Sequence, residues 1–273
     1  MEYGNNWLAE SIYVKGKKIH YYHTATEGPP IILLHGIMDN GLCWTPVAET
    51  LSSQYDVLMP DARGHGLTEI GEQDFSYQEM AGDVALLMDE LHIPSAHILG
   101  HSMGAGTALL AAHEYPDKVK NLLLEDPGIR LKKLSWLTWF LLTMGMRLGF
   151  SFLLRGDYDK IYARGEKWNK QWSEAELKPW AFSKVQFKEK DSPITKKFFS
   201  YSYDWRDIFR EIKCPILLLT SSKGFTKDKT AKELRDLNPK VQWEKIDGAG
   251  HNLRREQFES YMEIVSRFLE KNQ

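Results

Sequence analysis

The sequence predicts an α/β fold: a doubly wound, mostly parallel sheet that carries one long helical insertion. Three observations predict it. Short continuous apolar runs recur without polar alternation, which is the pattern of strands covered on both faces. Segments with apolar residues at helical spacing lie between those runs. The rhythm lapses once, after Asp126 and before Pro215, for roughly 85 residues, where a plain crossover unit takes about 30.

Taken in order, Ile12-Tyr13-Val14 and Ile19-His20-Tyr21-Tyr22 flank Lys15-Gly16-Lys17-Lys18, which reads as an antiparallel pair around a glycine turn. The buried-strand runs follow at residues 31–34, 57–59, 97–99, 122–124 and 216–219. Met80, Val84, Leu87, Met88 and Leu91 recur at helical spacing until His92-Ile93-Pro94, and Phe258, Tyr261, Met262, Val265, Phe268 and Leu269 do so near the C-terminus. The insertion opens with residues 134–146, which bear no charge, and residues 148–154 extend the apolar run beyond Arg147. A membrane span takes about 20 apolar residues, and Arg147, Gly145 and Gly149 interrupt this run, so the expectation is an apolar helical hairpin that covers something, not an integral membrane span. Residues 157–197 mix both charge signs and read as solvated.

Composition narrows the function classes. With 42% hydrophobic and 26% charged residues in 273, disorder is excluded, and a net charge of −2 argues against general nucleic-acid binding. Cys43 and Cys214 form no CxxC or Cys/His cluster, so they read as reduced thiols, and neither a metal site nor a cofactor is expected. The first residues lack the basic and apolar regions of a signal peptide, which makes the cytoplasm the expected location.

The chemistry is concentrated at Gly100-His101-Ser102-Met103-Gly104. This G-x-S-x-G follows the run at 97–99 and precedes the small and apolar residues 105–115, so it stands between strand and helix. In that context the glycines remove side chains where strand and helix approach, and Ser102 sits on a sharp turn with its Oγ exposed. The helix behind it offers free backbone N–H groups to developing negative charge.

Four ordered segments give the chain a resemblance, over essentially its whole length, to the α/β-hydrolase fold superfamily and within it to capped serine carboxylesterases. They are His35-Gly36 after the strand at 31–34, Asp61-Ala62-Arg63-Gly64-His65-Gly66, the turn at Ser102, and Gly248-Ala249-Gly250-His251. The resemblance implies Ser102 as nucleophile, His251 as base, and an oxyanion hole made by the backbone N–H groups of Ile37 and Met103. Of the other histidines, His35 and His65 read as packed or turn residues, and His101 as pointing away from the site. His20, His23, His92, His97 and His113 carry no local signal.

The acid is harder to place. In most relatives it follows the strand corresponding to 216–219, but there the family position is held by Gly224. Some members take it from the end of the preceding strand, where this chain has Glu125 and Asp126. Asp126 is the first choice, and Glu125 and Asp228 remain alternatives.

The resemblance also implies a core of residues 1–127 and 213–273 with a helical cap at 128–212. Six of the nine Trp fall in that cap: Trp136, Trp139, Trp168, Trp172, Trp180 and Trp205. Their concentration suggests an apolar pocket under the cap, with Trp136 and Trp139 as candidate substrate contacts. The expected activity is hydrolysis of carboxylic esters with medium-sized apolar acyl or alcohol parts through an acyl-enzyme, the partner being a small apolar ester. A lactonase or C–C bond hydrolase with the same triad, or a receptor that binds a small ligand without turnover, are the alternatives. The sequence leaves the oligomeric state open.

Overall fold

The computed structural model describes residues 7–70, 75–129, 136–189 and 203–273, without the side chains of 136–139, 142, 143, 188 and 189. Eight strands form one sheet in the order β1-β2-β4-β3-β5-β6-β7-β8. They are β1 (Leu8–Val14), β2 (Lys17–His23), β3 (Pro30–Leu34), β4 (Asp56–Pro60), β5 (Ala96–His101), β6 (Val119–Glu125), β7 (Ile216–Ser221) and β8 (Val241–Ile246). The β1–β2 and β2–β4 pairs are antiparallel and the others parallel, so the expected fold class is observed.

The parallel strands read as unbroken apolar runs because alternate residues serve two cores. Ile32, Leu34, Ile98, Leu122, Leu124 and Leu218 face one, shared with α2 (Tyr77–Glu90), α3 (Met103–Glu114) and α7 (Trp205–Glu211). Ile31, Leu33, Leu99, Leu123, Leu217 and Leu219 face the other, shared with α1 (Thr45–Leu51) and α10 (Phe258–Lys271). Burial on both faces leaves no place for a polar residue, and this erases the period of two. The remaining core helices are α8 (Asp228–Leu237) and α9 (Leu253–Glu256).

The segment between β6 and β7 holds α4 (Trp136–Leu153), α5 (Tyr158–Trp168) and α6 (Glu174–Glu189), followed by α7, whose Trp205, Ile208 and Phe209 pack in the sheet core. The expected hairpin at 134–154 is instead one helix that runs through Gly145 and Gly149. Glycine costs a helix about 1 kcal/mol but keeps its N–H and clashes with nothing, so it weakens α4 without ending it. Phe140, Leu141, Met144, Leu148 and Phe152 are exposed, while Phe150 and Leu153 pack against the core. Helices α5 and α6 share a small core of Ile161, Trp172, Leu177, Trp180 and Ala181. Among the described residues, no helix is long and apolar enough to cross a membrane.

Candidate active site

Parallel pairing lines up the C-terminal ends of the central strands. Leu34 pairs with Gly100, His101 with Glu125, and Ser221 with Ile246, so the chain segments that follow them emerge at one edge. Open α/β sheets gather their reactive groups there.

Ser102 caps α3 with φ 53° and ψ −109°, a conformation that costs a non-glycine residue energy and is over-determined by its surroundings. Its N–H donates to the Glu125 carbonyl at 3.0 Å. A Cβ on Gly100 would fall on the backbone of Gly104 and Ala105, and one on Gly104 on the carbonyl of Leu34, which is why the turn needs glycine on both sides. Met103 is the first residue of α3, where a backbone N–H has no intrahelical acceptor. Ile37 follows His35-Gly36, a loop held by the His35 ring. Its Nδ1 donates to the Gly36 carbonyl at 2.8 Å, and its Nε2 accepts from Ala62 N–H at 2.9 Å. Burial pushes the His35 pKa down, so the ring is neutral, as these two bonds require.

His251 and Asp126 meet directly. The imidazole Nδ1 lies 2.6 Å from Asp126 Oδ2, with the carboxylate fully buried and the ring partly open. Donation of Nδ1–H to that carboxylate leaves Nε2 as the basic nitrogen. The same carboxylate accepts Phe225 N–H on Oδ2 at 2.7 Å and Thr226 N–H on Oδ1 at 2.8 Å. Asp126 itself has φ 37° and is tied by its N–H to the Leu219 carbonyl.

Gly224 lies directly against this carboxylate. A Cβ there would lie 2.6 Å from Asp126 Oδ2 and 2.8 Å from its Cγ, so the space beside Gly224 is filled by the Asp126 carboxylate. The two alternatives lie elsewhere. Glu125 is fully buried and binds Arg254 through its backbone N–H (3.2 Å) and Nη1 (3.0 Å). Asp228 pairs with Lys245 at 2.8 Å on the surface.

The expectation for His101 is corrected. Its ring does not turn away but lies 4.7 Å, centroid to centroid, from that of His251, and its Nε2 donates to the His251 carbonyl at 3.0 Å. Burial, reinforced by the nearby Arg254 charge, holds its pKa well below the usual histidine range, so it is a neutral donor that fixes the histidine loop. On the other side Ser221 Oγ donates to the Gly250 carbonyl at 2.5 Å, and Glu256 Oε2 accepts Gly250 N–H at 2.6 Å. The Phe225 ring covers the His251 imidazole at 4.0 Å.

A buried ion network, invisible in the sequence, joins the insertion to this edge. Asp39, two residues after Ile37, takes Lys184 Nζ of α6 on Oδ1 at 2.6 Å and Arg255 Nη2 on Oδ2 at 3.0 Å. Arg255 Nε also binds Glu176 of α6 at 3.0 Å. Burial opposes the charge on Asp39, but Arg255, Lys184 and Arg254 outweigh it and hold the carboxyl well below its usual range. Glu176 and Lys184 thus correct the expectation that residues 157–197 are solvated: opposite charges can be buried when each is paired.

Four of the six tryptophans of the insertion have described side chains, and they sit in three different surroundings. Trp172 and Trp180 meet edge-on at 5.9 Å inside the α5–α6 core, Trp205 packs on Tyr77 at 5.4 Å, and Trp168 stacks on Phe152 while remaining half exposed. Trp136 and Trp139 lie on α4, and their side chains fall outside the described residues.

Comparison with known proteins agrees with this architecture. Residues 29–254 match the family described as the alpha/beta hydrolase fold. The chain is 26% identical to an N-formylmaleamate deformylase from Pseudomonas putida, over 95% of this chain and 96% of that protein. It superposes on the crystal structure of E-2-(acetamidomethylene)succinate hydrolase with a TM-score of 0.80, at 18% identity, over 97% of this chain and 99% of that one. A thermophilic esterase from Thermogutta terrifontis gives a TM-score of 0.76 at 22% identity, over 97% and 98% of the two chains.

Proposed function

The chain belongs to the α/β-hydrolase fold family, and from that premise we propose that it is a serine hydrolase that cleaves carboxylic esters with apolar acyl or alcohol parts. Ser102 Oγ attacks the ester carbonyl while His251 Nε2 takes its proton, and Asp126 holds the imidazole in the required tautomer and stabilises the imidazolium. The tetrahedral oxyanion receives the N–H groups of Met103 and Ile37. Collapse of that intermediate expels the alcohol with the proton from His251. Water, activated by the same nitrogen, then releases the acid and regenerates Ser102. Residues 128–212 act as a cap over a core of 1–127 and 213–273.

The observation that carries the reading is the 2.6 Å contact between His251 Nδ1 and an Asp126 carboxylate that also accepts two backbone N–H groups. Such a carboxylate is pre-organised to keep its charge beside an imidazolium. The reading predicts turnover of a p-nitrophenyl ester series, with an optimum at medium acyl length. Ser102→Ala should lower kcat by about 10⁴-fold or more. Unchanged hydrolysis by that variant would remove the mechanism altogether.

A second reading, cleavage of an N-acyl group, is favoured by the deformylase relative that spans nearly the whole chain. The same groups would serve it, with His251 protonating a leaving nitrogen. A formanilide turned over faster than the matching phenyl formate would select it.

A further inference from the structure

Helix α4 carries one charge, Arg147, and among its described side chains some pack on the protein while others stay exposed. Phe150 and Leu153 pack on the core, while Leu141, Met144, Leu148 and Phe152 are between 44% and 66% exposed. At 3.6 residues per turn these four fall within an arc of about 80°, so they form one stripe and not a scatter of single side chains. Trp168 of α5 stacks on Phe152 at 5.9 Å and widens the stripe at its C-terminal end.

We propose that this stripe, Leu141, Met144, Leu148, Phe152 and Trp168, is a docking surface for an anionic lipid bilayer. Charge selects that occupant. Between Asp126 and Asp157 the chain has no acidic residue, but it has Arg130, Lys132, Lys133, Arg147 and Arg155. Arg147 and Arg155 are exposed, one at the edge of the stripe and the other just beyond its end. Two copies joined through this face would bring like charges together, whereas an anionic headgroup layer neutralises them. An apolar helix face with Leu, Phe and Trp, bordered by arginine, is the composition that lies in the bilayer interface, and α4 does not meet the requirement for crossing it. Docking would place the helix axis along the membrane plane, with the stripe among the acyl-chain ends of the headgroups and Arg147 at phosphate level.

The proposal is independent of the hydrolytic reading and is tested without turnover. The Ser102→Ala protein is floated with unilamellar vesicles of phosphatidylcholine alone, or of phosphatidylcholine with one-third phosphatidylglycerol, at low and high salt. Leu148→Gln/Phe152→Gln and Arg147→Gln are added in the same background. The expected result is flotation with the phosphatidylglycerol vesicles and at least ten times less with phosphatidylcholine alone or at high salt. The double variant should lose at least tenfold while keeping its circular dichroism, and Arg147→Gln about fivefold, the worth of one cation near an anionic surface. Absence of flotation with either vesicle, or flotation unchanged by both variants, would overturn the proposal. So would a dimer in sedimentation velocity that the double variant abolishes without any vesicle binding, which would make a second copy the occupant.

Discussion

The two long helices of the insertion reverse the usual relation between polarity and burial. Helix α6 carries Glu176 and Lys184 and buries both, while α4 has Arg147 as its sole charged residue and exposes a row of large apolar side chains. The difference lies in what each helix meets. Helix α6 lies against the loop that follows Ile37 and the short helix that follows His251, and each of its buried charges finds a counter-charge there: Lys184 on Asp39, Glu176 on Arg255. Helix α4 carries only Arg147, which is exposed, and among its described side chains Phe150 and Leu153 reach the core while Leu141, Met144, Leu148 and Phe152 stay exposed. Partners, more than hydropathy, decide burial in this segment.

The largest effect follows from removing a shared partner. Arg255→Met leaves Asp39 and Glu176 short of a buried cation, and breaking such a pair costs about 3–5 kcal/mol, read as a fall in unfolding free energy in urea. A loss under about 1 kcal/mol would mean that α6 is held by its apolar contacts and would erase the contrast with α4.

A smaller effect comes from pH. Burial lowers the pKa of His35, His65 and His101 in the folded protein, so below the ordinary histidine value the unfolded chain takes up protons that the folded one refuses. Stability is therefore full above that value and falls as pH drops below about 6.5, by up to about 1.4 kcal/mol per pH unit for each histidine. His101→Asn should reduce this slope by one proton in a pH series of urea melts. A slope unchanged by the variant would show that His101 is protonated in the fold.

The smallest effect sharpens the α4 side. A Cβ on Gly145 or Gly149 meets nothing within 4 Å, so Gly145→Ala should stabilise the protein by about 0.5–1 kcal/mol. Destabilisation would mean that the face is covered.

Much of this was legible in the sequence for local reasons. The central strands declared themselves because both faces are buried, and the Ser102 turn because its requirement for two glycines is written within five residues. Asp126 was singled out by subtraction, since Gly224 stood where a carboxylate was expected, and the Asp126 carboxylate lies against Gly224 and His251. What stayed hidden depends on distance along the chain. Asp39 and Arg255 are 216 positions apart, and Asp39 and Lys184 145, and no local pattern marks such pairs. His101 was misread because its partner is a backbone carbonyl 150 positions away, which leaves no trace in residue type. The hairpin expected at 134–154 gave too much weight to Gly145 and Gly149, whose helix cost is small.

The central claim is that the acid paired with His251 comes from the end of β6, and the most direct measurement is kcat on a turned-over ester for Asp126→Asn, Glu125→Gln and Asp228→Asn, each with its thermal melt. The account predicts a loss of about 10⁴-fold for Asp126→Asn, because the amide would favour the wrong imidazole tautomer, and near wild-type turnover for Asp228→Asn. It also predicts that Glu125→Gln acts chiefly on stability through Arg254. Near-normal turnover by Asp126→Asn with loss in Asp228→Asn would contradict it.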